Sequence, residues 1–291
     1  MSKVEKAYKD KYDFYFAGCA IASVEKTIRA NEFCRLLSWL TERKVIEKRC
    51  TLGYPTFVDS GAFSAYSRGI DIDVDEYIDW INKWHPNLER YCCWDTIPTD
   101  DITPDVSAPR TWENYLYMRS KLADPSKLVY CFHYGEDVSY LIQALDSGID
   151  YVALGGVARK GRKQRYEFFT KLIPIFEMYP NVHVHAFGMT AIDILNDFPY
   201  INSSDSSSWL YPPKFLRIHS TNFDSVFFGQ DMSKEANRKE TIQNLSALEM
   251  ALLEQELNTR GFTIDDMYQN KHRSDWQILF WADKMKNGVK R

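Results

Sequence analysis

Short apolar runs alternate with longer segments of helical periodicity along most of this 291-residue chain. Each run is rich in aromatic and β-branched residues and is bounded by turn-forming residues, which predicts a short, buried β-strand. Seven strands are predicted clearly, and an eighth less sharply between residues 215 and 229. The seven runs cover residues 12–18, 56–61, 90–95, 128–133, 151–156, 182–188 and 200–205.

The segments between these runs repeat their apolar residues every three or four positions, which predicts amphipathic helices. They cover residues 24–47, 73–84, 111–122, 137–148, 165–179 and 190–198. Alternating strands and helices are typical of an α/β protein with a parallel sheet. About eight strands favour a closed (β/α)8 TIM-like barrel over an open sheet. No GxGxxG motif follows the first strand, so a dinucleotide is disfavoured and no cofactor is expected.

Charged helical segments at residues 233–259 and 274–286 follow the last strand and predict extra C-terminal helices. No linker that would separate domains interrupts the chain. We therefore expect a single barrel domain over residues 1–291, with a C-terminal helical portion from about 232 to 291.

The composition, with 45% apolar and 26% charged residues, is typical of a globular protein with a large core. The charged N-terminus predicts no secretory signal, and no apolar stretch approaches the roughly 20 residues that a membrane span needs. The six cysteines are expected to be reduced core residues, which indicates a cytoplasmic protein without membrane partners. Cys92 and Cys93 are adjacent and do not have the spacing of a zinc site, so no metal is expected.

One basic segment stands out against the net charge of −4, namely ARKGRKQR at 158–165, which carries five positive charges and no acid. It follows the predicted fifth strand and so lies at one end of the predicted barrel. A charge run often forms only a solvated surface. Its position here favours nucleic-acid binding through phosphate contacts from Lys160, Arg162, Lys163 and Arg165.

Polar residues and glycines follow the predicted strands, and the carboxyl ends of barrel strands form the active-site face of this fold. They are Asp59, Asp95, His133, Gly155, Gly156, Gly188, Met189 and Asp205. Turn formation explains any one of them, because Asp and Gly are common in turns. It explains the whole set less well, so we expect these residues to meet at one barrel mouth.

The residue types at this mouth suggest a division of roles. Asp59 and Asp205, on the predicted second and seventh strands, are two carboxylates of which one can attack an anomeric carbon while the other transfers a proton. Asp95 can accept hydrogen bonds from paired N–H donors, such as N1–H and the 2-amino group of guanine. Gly155 and Gly156 leave room for a ligand close to the backbone.

Five motifs in this order resemble the tRNA-guanine transglycosylase family over roughly residues 12–210. They are DSGAFS at 59–64, WDTIP at 94–98, YVALGGVARKG at 151–161, HAFGMT at 185–190 and NSSDSSSW at 202–209. Together with FHYGED at 132–137, they look still more like the phage and bacterial DNA-guanine transglycosylase branch. That branch inserts 7-deazaguanines into DNA.

The resemblance implies a role for each matching residue. Asp205 would be the nucleophile that attacks C1′ and forms a covalent glycosyl-enzyme, and Asp59 would be the acid/base. The base would be bound by the following residues: Asp95, Ser60, Gly155, Gly156, Met189 and His133, the last in place of the family's glutamine. Guanine would be exchanged with retention for a free 7-deazaguanine of the preQ0 type. A phage origin would fit, with action in the host cytoplasm.

The chain departs from the tRNA enzymes in ways that favour DNA. It has no Cys after 131, whereas those enzymes carry a C-terminal zinc site of three cysteines and a histidine. The segment after Asp205 is Ser-rich, and the chain is shorter. A nucleotide in a duplex would have to be flipped out, and Trp209, Tyr211 or Phe187 could stack on it.

Other functions stay open. The nearest alternative is a transglycosylase acting on tRNA. A non-catalytic homologue that binds nucleic acid is disfavoured because both Asp59 and Asp205 are present. A barrel hydrolase acting on a small molecule is disfavoured by the basic segment. The sequence also leaves open a homodimer.

Overall fold

Eight parallel strands close into a barrel in the computed structural model, which describes residues 12–18, 22–70 and 72–290. The strands follow one another around the barrel in chain order, and the last pairs with the first. Their bounds are β1 (Asp13–Ala17), β2 (Arg35–Ser38), β3 (Phe57–Asp59), β4 (Arg90–Cys92), β5 (Leu128–His133), β6 (Tyr151–Gly155), β7 (His183–Ala186) and β8 (Ser203–Ser206). The predicted (β/α)8 TIM-like barrel with extra C-terminal helices is confirmed.

Helices connect the strands and continue after the last of them. In chain order they are α1 (Ala22–Ala30), α2 (Trp39–Thr51), α3 (Ala62–Arg68), α4 (Val74–Trp84), α5 (Pro104–Lys121), α6 (Val138–Asp146), α7 (Arg162–Met178), α8 (Ile192–Asp197), α9 (Tyr211–Lys214), α10 (Glu235–Lys239), α11 (Ala247–Asn258) and α12 (Asn270–Gly288). Side-chain caps begin several of them: Asp73 accepts from two backbone N–H groups of α4, and Asp137 from one of α6.

Three secondary-structure predictions were wrong. The helix predicted over residues 24–47 is interrupted by β2, and the chain near 215–229 is not a barrel strand. It forms β9 (Arg217–Ile218) and β10 (Val226–Phe227), a separate antiparallel pair. Asp59 therefore lies on the third strand and Asp205 on the eighth, and the basic segment follows the sixth.

The helix predicted over residues 233–259 is also broken. The chain leaves α10 at Lys239, and Ser246 starts α11 with a capping box in which Ser246 and Glu249 each accept the other's backbone N–H. The helix predicted over 274–286 lies within the longer α12.

The described residues fall into two compact units. The first takes residues from Met1–Cys19, Cys34–Ser206 and Val289–Arg291 and contains the barrel, and the second takes residues from Ala20–Phe33 and Ser207–Gly288. Across the described part of the chain, no helix has both the length and the apolar character needed to span a membrane.

Aromatic rings fill much of the barrel interior. Tyr15, Phe57 and His185 meet edge to face, with ring centroids 5.1 to 5.6 Å apart. All three are buried, so this part of the barrel interior is a packed core.

Candidate active site at the barrel mouth

Three aspartates from different strands lie at the carboxyl end of the barrel. Asp59 ends β3, Asp95 follows β4, and Asp205 lies near the end of β8. Burial and the negative charges of Asp95 and Asp205 raise the pKa of Asp59 to about 8, although the backbone N–H of Gly61 donates to its Oδ2. Asp59 is therefore mainly protonated at neutral pH and can act as a proton donor.

Asp95 is held in place through both of its carboxylate oxygens. The hydroxyl of Ser60 donates to Oδ1 at 3.0 Å, and Nε2 of His133 lies 2.9 Å from Oδ2. Each oxygen of a carboxylate can accept more than one hydrogen bond, so Asp95 keeps acceptor capacity for a ligand. The structure brings Ser60, Asp95 and His133 together, and their predicted contacts with a base stay predictions.

His133 lies between the carboxyl groups of Asp95 and Glu136, and its predicted contact with a base stays a prediction. Its Nδ1 is 3.4 Å from Oε1 of Glu136, an ion-pair contact whose geometry is not that of a hydrogen bond. Burial lowers the pKa of His133, but hydrogen bonding to Asp95 and the contact with Glu136 outweigh it and raise the pKa to about 10. His133 is therefore an imidazolium with a carboxylate at each ring nitrogen.

Glu136 is anchored as firmly as the histidine that it faces. Its Oε2 accepts the backbone N–H of His133 at 2.7 Å, and its Oε1 accepts the hydroxyl of Ser107 at 2.6 Å. The side chain is wholly buried. Ser107, Glu136, His133 and Asp95 thus form one continuous buried network that ends at the barrel mouth.

Asp205 has one oxygen fixed and one oxygen open. Its Oδ1 accepts the backbone N–H of Gly188 at 2.9 Å and lies 3.2 Å from Nε2 of His185. Within the described chain, no hydrogen bond reaches Oδ2. Gly188 has a φ of +63°, and a Cβ there would lie 2.8 Å from Cβ of Ala158, so the N–H donor depends on glycine.

The two glycines after β6 have a packing role in the structure. A Cβ on Gly155 would lie 2.6 Å from Cδ2 of His133, and one on Gly156 would lie 3.2 Å from Cβ of Tyr134. These glycines let the β5 end lie close to β6. The predicted contact of both glycines with a base stays a prediction.

Met189 is wholly buried, and its carbonyl accepts the hydroxyl of Ser204 at 2.6 Å. This bond ties the loop after β7 to β8. The predicted packing of Met189 on the face of a base would require the side chain to become accessible, and it stays a prediction.

Three cations of the basic segment already have partners within the protein. Arg162 pairs with Asp193 at 2.8 Å, Lys163 lies 3.8 Å from Glu167, and Arg165 donates to two carbonyls of the loop before α7. Arg162 and Lys163 are nevertheless largely exposed. Phosphate binding by these residues stays a prediction.

Two other cations of the segment lie over aromatic rings of the neighbouring mouth loops. The Arg159 guanidinium is 4.7 Å from the ring centre of Phe63, in α3 directly after β3. The Lys160 ammonium is 4.7 Å from the ring centre of Tyr134, directly after β5. These contacts hold positive charge next to the segments that follow Asp59 at the end of β3 and His133 at the end of β5.

The three aromatic residues predicted to stack on a flipped base differ in exposure. Phe187 is half-buried, and its ring meets that of His185 edge to face at 5.1 Å. Trp209 is almost wholly buried and Tyr211 is exposed, and both belong to the second unit. Stacking of these residues on a base stays a prediction.

Asp and His side chains, which can bind metal ions, are present at the barrel mouth. No group of three or more His, Cys, Asp and Glu side chains among residues 12–18, 22–70 and 72–290 is arranged to hold a metal ion. The titratable groups that the structure places at the mouth include the protonated carboxyl of Asp59, the carboxyl groups of Asp95 and Asp205, and the imidazolium of His133.

Two residues that contact the predicted site residues, Glu136 and His185, were not predicted from the sequence. Glu136 lies in the FHYGED motif, and His185 lies in VHVHAFG at 182–188. The second carries a usable signal, because histidines at alternate positions of an otherwise apolar strand place polar groups on its inward face. Comparison with protein-family models and with curated proteins gave no match.

Proposed function

We propose that this protein is a guanine transglycosylase that exchanges guanine in DNA for a free 7-deazaguanine of the preQ0 type. The observation that carries the proposal is a protonated carboxyl, Asp59, within electrostatic reach of Asp205, whose Oδ2 is without a hydrogen bond in the described chain. One acid and one nucleophile are what a double displacement at C1′ needs.

In the first step, Oδ2 of Asp205 attacks C1′ of the target nucleotide. The C1′–O bond forms as the C1′–N9 bond breaks, and the bonding electron pair leaves with guanine. Asp59 donates its proton to the departing base and becomes a carboxylate. The charge that develops on the base is thereby neutralised at a site where water is largely excluded.

In the second step, the incoming base occupies the place of guanine. The Asp59 carboxylate accepts the proton of its N9–H group, N9 attacks C1′, and the bond from C1′ to Asp205 breaks. Asp59 regains its proton, so the cycle consumes none. Two inversions leave the sugar with its original configuration.

Recognition of the base is assigned to Asp95. Its oxygens face Ser60 and His133, which leaves acceptor capacity for N1–H and the 2-amino group of a guanine-like edge. Nε2 of His133, 2.9 Å from Oδ2 of Asp95, fixes the orientation of this carboxyl group. Bases that lack these two donors would leave Asp95 unsatisfied and would bind more weakly.

Base exchange with radiolabelled guanine tests this proposal. The protein is incubated with the label and either DNA or unmodified tRNA, and label in the polymer is counted. Label in DNA alone supports the proposal. Label in tRNA alone supports base exchange but shows that the substrate is tRNA and not DNA. Label in neither, after a 7-deazaguanine has also been offered, favours the non-catalytic or small-molecule alternatives.

Trapping of the covalent intermediate tests the role of Asp205. We expect wild-type protein to form a denaturation-resistant adduct with a guanine-containing oligonucleotide, and Asp205→Ala to form none. The matched control is Asp101→Asn, an exposed aspartate on the loop after β4. An adduct that survives in Asp205→Ala contradicts the assignment of the nucleophile.

A further inference from the structure

A chain of hydrogen bonds runs through the barrel interior and ends on Asp205. Nε2 of His183 lies 2.9 Å from Oγ of Ser203, and the same Oγ lies 2.9 Å from Nδ1 of His185. Nε2 of His185 then lies 3.2 Å from Oδ1 of Asp205. His183 and His185 come from β7, and Ser203 and Asp205 from β8, so alternate residues of two paired strands build the chain.

We infer that His185 is a positioning residue, which as the neutral Nε2–H tautomer holds Oδ1 of Asp205 and so aims Oδ2 at the sugar. This inference rests on the proposed function for the role of Asp205, whereas the arrangement of protons in the chain can be measured without it.

Counting protons fixes the direction of this chain. A carboxylate accepts only, so Nε2 of His185 has to carry the proton that Oδ1 receives. In neutral imidazole the other nitrogen is then an acceptor, and the Ser203 hydroxyl donates to it. The single hydroxyl proton is thereby used, and Ser203 is left as an acceptor for Nε2–H of His183. The Tyr151 hydroxyl, 3.4 Å from the same Oγ, then has to donate to Ser203 as well. The three bonds that link His183, Ser203, His185 and Asp205 all point towards Asp205.

The surroundings of His185 hold its ring in one orientation. The residue is wholly buried, and three aromatic rings meet it edge to face: Tyr15, Phe57 and Phe187. Because the ring is closely packed and bonded at both nitrogens, it is not free to turn. It has no access to substrate, which makes it a positioning residue for Asp205 and not a catalytic residue.

Two donors on one oxygen limit how a carboxylate can rotate. The Gly188 N–H and the His185 Nε2–H both reach Oδ1, from the loop after β7 and from β7 itself. Oδ2 is left as the oxygen with a free direction of approach. Loss of one donor would let the carboxylate turn, and misplacement of a reacting group by about 1 Å costs about 10²-fold in rate.

A pair of substitutions tests the positioning role. His185→Leu removes the donor, whereas His185→Gln retains an N–H that can reach Oδ1. We expect His185→Leu to lower the rate of adduct formation on a guanine-containing oligonucleotide by about 10- to 100-fold, with the oligonucleotide Kd changed less than about 2-fold. His185→Gln should restore most of the rate. Equal rates in wild type and His185→Leu, or Kd and rate changing together, would overturn the role.

The tautomer is measured directly, without activity, by long-range ¹H–¹⁵N correlation of the histidine rings in labelled protein. His185 is assigned by the signals that His185→Gln lacks. We expect the neutral Nε2–H pattern, and an Nδ1–H tautomer or an imidazolium would overturn the inference. If wild-type protein forms no adduct, the proposed function fails, while the tautomer still decides the arrangement of the chain.

Discussion

Asp59 can act as an acid at the barrel mouth because its carboxyl group is protonated at neutral pH. Its folded pKa is about 8, whereas an unfolded aspartate titrates at about 3.9. Between these values the folded protein binds a proton that the unfolded chain has lost. The free energy of unfolding therefore falls as the pH rises from about 4 to about 8, and it levels off above that range.

Asp59→Asn should abolish this loss of stability. We expect the variant to gain about 1 to 3 kcal/mol over wild type between pH 5 and pH 8, because asparagine keeps an acceptor for Gly61 N–H and cannot ionise. Urea unfolding at several pH values measures the difference. Asp101→Asn, on the exposed loop after β4, should track wild type throughout. A constant offset between Asp59→Asn and wild type would contradict the raised pKa.

The pKa of His133 is also raised, so its contribution to the free energy of unfolding likewise falls as the pH rises, but over a higher pH range. The charge is stabilised in the folded state, so the stabilisation is full below the unfolded value of about 6.5. It is lost as the pH rises towards the folded value of about 10. The two carboxyl groups at its ring nitrogens are the cause.

His133→Gln should therefore destabilise the protein more at pH 6 than at pH 10. We expect a loss of about 3 kcal/mol at the lower pH, because two buried carboxylates lose their common cation. Urea unfolding across this pH range checks it, and His85→Gln, on the half-buried turn after α4, is the control. A loss that does not depend on pH would mean that His133 is neutral in the fold.

At the scale of single residues, the sequence predicted the three aspartates of the barrel mouth but not all of the residues that contact them. Asp59, Asp95 and Asp205 were expected at one mouth because each follows an apolar run. The partners of His133 and Asp205 could not be predicted, since Glu136 bonds through a turn and His185 through strand pairing. Such contacts depend on the loop path and the barrel register, neither of which leaves a periodic signal.

At the scale of elements, β2 shows where periodicity fails. Residues 33–40, FCRLLSWL, form a nearly continuous apolar run without Gly or Pro, which fits a buried helix as well as a strand. What fixes the strand is a long-range contact. The buried Arg35 guanidinium donates to the carbonyls of Phe16 and Gly18, at the end of β1. A local pattern does not contain that partner.

The turn between β3 and α3 depends on Gly61. Its φ is +90°, and a Cβ there would lie 2.6 Å from Cβ of Leu40 and 2.7 Å from Oγ of Ser38. Gly53, with a φ of +74°, has open space around the position of a Cβ. Both glycines thus have a left-handed backbone, but only at Gly61 would an added Cβ clash with neighbouring atoms.

Gly61→Ala should cost more stability than Gly53→Ala. We expect about 1 kcal/mol for Gly53→Ala, which is the cost of a left-handed backbone, and about 3 kcal/mol or more for Gly61→Ala. Thermal or urea unfolding gives both values. The Gly61 variant should also lose adduct formation, because its N–H positions Asp59. Equal losses of stability would show that α2 can shift at Leu40 to accommodate the added Cβ at little cost in free energy.

At the scale of the whole molecule, a net charge of −4 means that an anionic polymer has to be held by a local surface. The basic segment offers two pairs of cations. Arg159 and Lys160 lie over rings that follow β3 and β5, whereas Arg162 and Lys163 pair with acids on or beside α7. A phosphate would have to displace Asp193 to use Arg162 fully.

The double variant Arg159→Gln/Lys160→Gln should therefore weaken DNA binding more than Arg162→Gln/Lys163→Gln does. Both remove two positive charges, so a general effect of net charge is the same in each. Each lost phosphate contact lowers the slope of log K against log salt by about 0.7 to 0.9. We expect a decrease of about 1.5 for the first pair and less than about 0.5 for the second, with binding of the free base unchanged. A larger decrease for the second pair would indicate that DNA binds along the exposed side of α7 and not at the barrel mouth.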